Sequence, residues 1–543
     1  MFLRKNLCNI LKSLSFKTSH NFRTLNQVNN HSTFHKWTLD YFRNQPHYNK
    51  FVLKQSMINT NNFVYNHVQL KSISTDELLI RFSSSNIKSL LYEIDNELVS
   101  RVHGMSINQI LALMDACLSD KNSLSKDASS FRKCFEIFDE SWFRRPDLTV
   151  PQTIQLIYYV SIYKNKSQRV VELGLQKLLN EINYLKQLTD DELSFLGVAT
   201  YKSSSKIYDK ILRIFAFRIE KNLDNLMQNP MQLISFIKPL KKSKYHDPIL
   251  LSKLITAFNN NTNNKVLADV ISSIHILSYF ADANCNKVDF LQSLIDSIGE
   301  RMIKDSLKNY RLKDISSYVF SASYLGLTPK DPNVCKIVVD FLNKMFNTKE
   351  KCKKYSKVLI GMCLSMWMLD SKPIKLMHFI FSDMSTANLR MPNAHKQDNR
   401  LNLLLICASI EQPDLITKCK LDPEKYSMPH VNSHLGERPF LVEVYETLKK
   451  LSNKLNISEI EYNFSIPFLK ILGIKVIKKN SKIIYVEVLD NSTCLYDTAI
   501  PNGMMKLKFR LESKLDIRVI TVNHKDGLNS EMLLKSHLES LLS

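Results

Sequence analysis

Lys475, Lys478, Lys479 and Lys482 crowd eight residues near the end of the chain, and Lys506, Lys508 and Arg510 follow at alternate positions. Cations at this density can neutralise neighbouring phosphates of a nucleic acid and release their counterions. Each one alone reads as a solvated surface residue; their grouping points to an RNA-binding surface. Between the two groups stand Glu487 and Asp490. Carboxylates of this kind can hold a divalent ion on a phosphate, with Glu443 or Glu446 as a third ligand. The simpler role for Glu487 and Asp490 is to cap or orient the end of a strand.

Other chemistry finds little support. No G-x-G, H-R-D, D-F-G or G-K-[ST] occurs, so the phosphate loop and metal-binding Asp of phosphoryl transfer are missing. The 10 Cys are scattered without a C-x-x-C pair, and His430 and His434 have no second ligand pair nearby. No metal and no cofactor is expected, Mg²⁺ excepted should the two carboxylates be catalytic.

These residues must be carried by a large, mostly helical chain. Its 543 residues exceed one ordinary core, and 10 Gly with 16 Pro suit long helices better than turn-rich β folds. The formal charge is +22. Residues 1–75 carry ten basic residues and one acidic residue, Asp40, and account for +9, leaving the body basic at +13. Before Asp40 the chain is free of acid. Arg4, Lys5, Lys12, Lys17 and Arg23 interleave with Ser and Thr, and Leu3, Leu7, Ile10, Leu11 and Leu14 share one helical face. That pattern predicts a mitochondrial transit peptide over 1–39, hence the matrix, and a linker over 40–100. No apolar run approaches the roughly 20 residues of a membrane span; the longest, Val358–Leu369, stops at Asp370.

A pattern of helix start and apolar stripe begins at Met105, Leu148, Leu188, Asn229, Leu267, Leu312 and Tyr355. The spacing of about 40 residues, with a second amphipathic segment after most copies, predicts a paired-helix repeat solenoid over 101–397. Ser106, Thr149 and Thr189 stand as N-caps. After a helix over Phe440–Leu455, the order changes. Strands are expected around Ile471–Ile477, from Lys482 to Asp490, and ending at Val522, with helices after Pro501 and from Ser530 to Leu542. This is a small α/β domain with at least one parallel strand pair.

The segment from Lys482 to Asp526, KIIYVEVLDNSTCLYDTAIPNGMMKLKFRLESKLDIRVITVNHKD, resembles the RAP domain of organellar RNA-associated proteins. VLIGMCLSMWMLDSKPIKLMHFIFSDM and NRLNLLLICASIEQPDL resemble the two FAST homology regions that precede it. By this order, over about residues 310–541, the chain resembles the FAST kinase domain family of animal mitochondria. The resemblance assigns 310–385 to the first FAST region, 398–460 to the second and 461–543 to the RAP domain. One departure is Asp526-Gly527-Leu528, where members often carry an aromatic. The family implies RNA binding with processing or stabilisation of mitochondrial transcripts, and admits other RNA-granule proteins as partners. The RAP domain also resembles the PD-(D/E)xK nuclease fold, which makes a metal-dependent RNA endonuclease the alternative. Leu489 stands where that motif needs Lys, and Lys506 is the candidate to replace it. A protein-only solenoid adaptor is the third reading; it explains the helices but not the charge.

Overall fold

A computed structural model describes residues 30–44, 67–85, 87–118, 128–162, 167–260, 265–305, 307, 309–384, 395–419, 438–528 and 530–542. The described residues divide into two compact units, one ending at Ser272 and the other beginning at Ser273.

In the first unit the apolar stripes form one layer of helices: α1 (Ile107–Leu118), α2 (Val150–Ile162), α4 (Asp190–Ser203) and α6 (Pro230–Ser243). Each packs on the next. Helices α3 (Ser167–Asn180), α5 (Asp209–Lys221) and α7 (Pro248–Asn260) alternate with them along the chain. The starts are fixed by reciprocal caps, in which a side-chain oxygen takes the third backbone N–H and the third side chain returns the bond. Ser106 pairs in this way with Gln109, Thr149 with Gln152 and Thr189 with Glu192. Polar bridges link successive helices near the same end, Gln152 to Asn108 at 2.8 Å and Gln232 to Asp191 at 2.6 Å.

Two boundaries differ from expectation. The stretch 40–100 is not all linker: Thr75–Ser84 and Lys88–Arg101 are helices that bury Leu78, Phe82, Leu91, Ile94 and Leu98. The last part of the expected transit peptide also belongs to the fold. Asn30–Arg43 is a helix whose Phe34 and Phe42 pack on Tyr158 and Phe195, and within residues 34–39 Phe34, Thr38 and Leu39 are buried. The basic segment before residue 30 lies outside the described residues. No helix among the described residues is long and apolar enough to cross a membrane.

The second unit continues with α8 (Val288–Lys304), α9 (Leu312–Leu325), α10 (Pro332–Met345), α11 (Ser356–Met368), α12 (Ile374–Met384) and α13 (His395–Glu411). Helix α11 packs between α9 and α13. The α/β part follows as α14 (Pro439–Leu451), β1 (Ile457–Asn463), β2 (Gly473–Lys478), β3 (Ile483–Leu489), α15 (Gly503–Lys514), β4 (Val519–Asn523) and α16 (Glu531–Leu542). The sheet order is β1-β2-β3-β4, antiparallel except for the parallel pair β3/β4 joined through α15. One face, carrying Ile484, Val486 and Val488, is covered by α14 and α16 through Leu441, Val444, Leu448, Leu534 and Leu538. The α/β core therefore begins at α14, not at residue 461.

Strand β1 departs from expectation. A register shift between Ile457 and Glu459 places a bulge in it. The bulge breaks the alternation that marks a strand, and leaves Ile457 and Ile460 at a helix-like interval of three.

Candidate nucleic-acid interface

The hairpin of β2 and β3 turns through Lys479-Asn480-Ser481, with Ser481 in the left-handed region (φ 63°) and the Lys478 N–H donating to the Lys482 carbonyl at 2.9 Å. Lys479 and Lys482 are exposed at this tip. Lys478 is half-buried; its Nζ donates to the carbonyls of Leu455 and Leu542, each at 2.7 Å, and so ties the ends of two helical segments to the sheet. Burial holds its pKa below the ordinary value, and repulsion from Arg518 and Lys482 adds to the effect. Three cations thus share the tip region with Lys479, and Arg518, which sequence reasoning passed over, is exposed. Lys475 stands apart. It faces Glu461 across β1 and β2, with Nζ 2.9 Å from its carboxylate, an ion pair that raises the lysine pKa and lowers that of the glutamate.

The three downstream cations are not on a common surface. At 3.6 residues per turn, positions four apart share a helix face and a position two further on lies about 200° round. Lys506 and Arg510 accordingly turn toward α9, α11 and α13, and Lys508 toward the sheet. Lys506 stays exposed, but its Nζ donates to the Gly326 carbonyl at 2.8 Å, and partial desolvation lowers its pKa. Arg510 donates to Glu411 at 2.8 Å and to the Trp367 carbonyl at 2.7 Å. Glu411 is itself buried and receives Trp367 Nε1 at 2.6 Å and Lys372 at 3.3 Å. Lys508 is fully buried, with Nζ 2.5 Å from Glu487 and 3.0 Å from the Ile471 carbonyl. The expectation of an RNA-facing row at 506, 508 and 510 is corrected: these side chains fasten α15 to its two sides. Gly503 lets it sit that close, since a Cβ there would lie 1.6 Å from the Ser323 carbonyl oxygen.

The carboxylates do not converge. Residues an odd number apart along a strand point to opposite faces, so Glu487 and Asp490 part company. Glu487 lies under α15 beside Gly473, where a Cβ would come 2.5 Å from its Oε1. Glu512, one helical turn after Lys508, is the other acid of this pocket; Ser465 Oγ donates to its Oε1 at 2.5 Å. Burial, reinforced by the charge of Glu487, pushes Glu512 up to about 8. At neutral pH Glu512 therefore keeps its proton beside the Lys508–Glu487 pair. Asp490 lies on the α14 side, 2.8 Å from Arg438 Nε, while the Ser492 N–H and Oγ donate to its other oxygen at 2.9 and 2.5 Å. Burial would raise its pKa, but Arg438 and Ser492 outweigh that and hold it below the ordinary carboxylate value. Arg438 also reaches the carbonyls of Leu472 and Val488, at 2.5 and 2.6 Å.

A nuclease site built on Glu487 and Asp490 is thus not assembled. The lysine near Glu487 is Lys508, not Lys506, and both charges are sealed from solvent. Glu443 and Glu446 are exposed on the outer face of α14. Among the described residues no group of three His, Cys, Asp or Glu could hold a metal ion, and His430 and His434 lie outside those residues. Sequence reasoning missed Arg438, Glu411, Glu512 and Arg518; only Glu512 left a signal, its i, i+4 spacing from Lys508. No known family profile matches the chain, and no curated protein matches it.

Proposed function

We propose that this chain is a mitochondrial RNA-binding protein of the FAST kinase domain type, acting without catalysis in the processing or stability of mitochondrial transcripts. The observation that carries the reading is the cationic hairpin tip, where Lys482 and Arg518 both repel Lys478 beside the exposed Lys479. Gathering like charge in this way is costly without an anionic partner. The alternation of helices at about 40-residue intervals supports a repeat array, and the mixed sheet with its crossover helix supports a RAP domain at the end. The acid-free leader supports import into the matrix. Burial of Glu487 and Lys508, and the engagement of Asp490 by Arg438, favour a binding role over an endonuclease. The basic body favours RNA over a purely protein-bridging role.

The reading is tested by crosslinking RNA to the tagged protein in isolated mitochondria and sequencing what is recovered. Enrichment of particular mitochondrial transcripts is expected. Recovery no better than from an untagged control, with the protein present in the matrix, overturns it.

A further inference from the structure

Helix α5 in the first unit is amphipathic. Ile211, Leu212, Ile214, Phe215, Ala216 and Ile219 are buried, while Lys210, Arg213, Phe217 and Lys221 stand exposed along the opposite face at helical spacing. Phe217 retains 63% of its surface in solvent. Among the described residues, the side chains of Lys210, Arg213 and Lys221 make no ion pair or hydrogen bond.

The plain explanation for helix-end cations is the macrodipole, which favours them at the C-terminus. It serves for Lys221, and for Lys241 and Lys242 in the last turn of α6. It fails for Lys210, in the first turn of α5, where positive charge is disfavoured, and it does not reach Arg213 in the second turn. The neighbourhood offers little neutralisation. The C-terminal ends of α4 and α6 meet shortly before α5 begins, for Lys242 Nζ donates to the Thr200 and Tyr201 carbonyls at 2.8 and 2.9 Å. Lys238 and Lys242 both lie over the Tyr201 ring, each 5.7 Å from its centroid. Of the nearby acids, Asp247 caps α7, Glu220 pairs with Lys253 at 2.6 Å and Glu172 receives the Lys206 N–H, leaving Asp209 at the start of α5.

An exposed aromatic in line with unpaired cations is the pattern that single-stranded nucleic acid uses. Cations follow the backbone, and a ring stacks on a base whatever its identity. A protein partner would instead need a contiguous apolar core, and the stripe has a single large apolar side chain. Resting on the RNA-binding reading above, we infer that Lys210, Arg213, Phe217 and Lys221 form a second contact surface for single-stranded RNA. The three cations meet phosphates and Phe217 stacks on a base.

The test uses the full-length protein and a short mixed-sequence RNA carrying 5-bromouridine. Lys210→Glu, Arg213→Glu and Lys221→Glu together should weaken binding at least tenfold and reduce the salt slope by about 2, at roughly 0.7 for each phosphate no longer neutralised. Phe217→Ala should cost about 5- to 150-fold, the range of one base stack. Photocrosslinking should place RNA on the peptide containing Phe217. Affinity and slope unchanged in both variants, with RNA still bound and crosslinked elsewhere, overturns this inference and leaves the RNA-binding reading standing. Failure of the wild-type protein to bind any RNA overturns both. Binding of a polyglutamate peptide in preference to RNA, abolished in the triple variant, reassigns the stripe to an acidic protein and likewise overturns it.

Discussion

Lys508 Nζ lies 2.5 Å from Glu487 Oε1, with both side chains wholly withdrawn from solvent between α15 and the sheet. Removing one partner of such a pair strands the other charge. Lys508→Met should therefore destabilise the α/β part by about 3–5 kcal/mol, while Lys508→Met combined with Glu487→Gln should cost less than the single change. Chemical denaturation of the two variants checks this; equal or greater loss in the double variant contradicts it.

The third member of that pocket makes stability depend on pH. Glu512 has an ordinary value of 4.5 and is pushed up to about 8 in the fold. The folded state keeps a proton that the unfolded chain releases across this window. The stabilisation is thus fully present below pH 4.5 and is lost as pH rises toward 8, by at most about 1.4 kcal/mol per unit. Glu512→Gln, which is neutral throughout, should flatten the profile between pH 5 and 8. A melting temperature whose pH dependence is the same in the variant and the wild type removes Glu512 as the cause.

Asp490 separates the structural account from catalysis. Asp490→Ala leaves the buried Arg438 without its carboxylate, and a loss of about 3–5 kcal/mol is expected. Purified wild-type protein with Mg²⁺ or Mn²⁺ should bind a mitochondrial transcript and leave it uncut. Divalent-dependent cutting that vanishes in Asp490→Ala, with the circular dichroism spectrum retained, would restore the nuclease reading.

The helices were legible because their apolar stripes recur at 3.6-residue spacing, and β2, β3 and β4 because Ile and Val cluster in short runs. Strand β1 was hidden by its bulge. The sites fared worse for a common reason: the pairings that decide which charges are exposed join distant positions. Lys508 meets Glu487 21 residues back, Arg438 meets Asp490 52 residues on, and Arg510 meets Glu411 99 residues back. A lysine in sequence reads as solvated, and nothing local to α15 announces that both of its flanks are covered.

RNA affinity across a salt series tests the central claim most directly, comparing wild-type protein with Lys479→Glu, Lys482→Glu and Arg518→Glu combined. These three are exposed, and Lys478 is left in place to hold the helix ends. The wild type should bind with an affinity that falls steeply with salt. The variant should fold normally, bind all sequences more weakly, and show a slope shallower by about 2. Unchanged affinity and slope in a folded variant would contradict the assignment of the hairpin tip as an RNA surface.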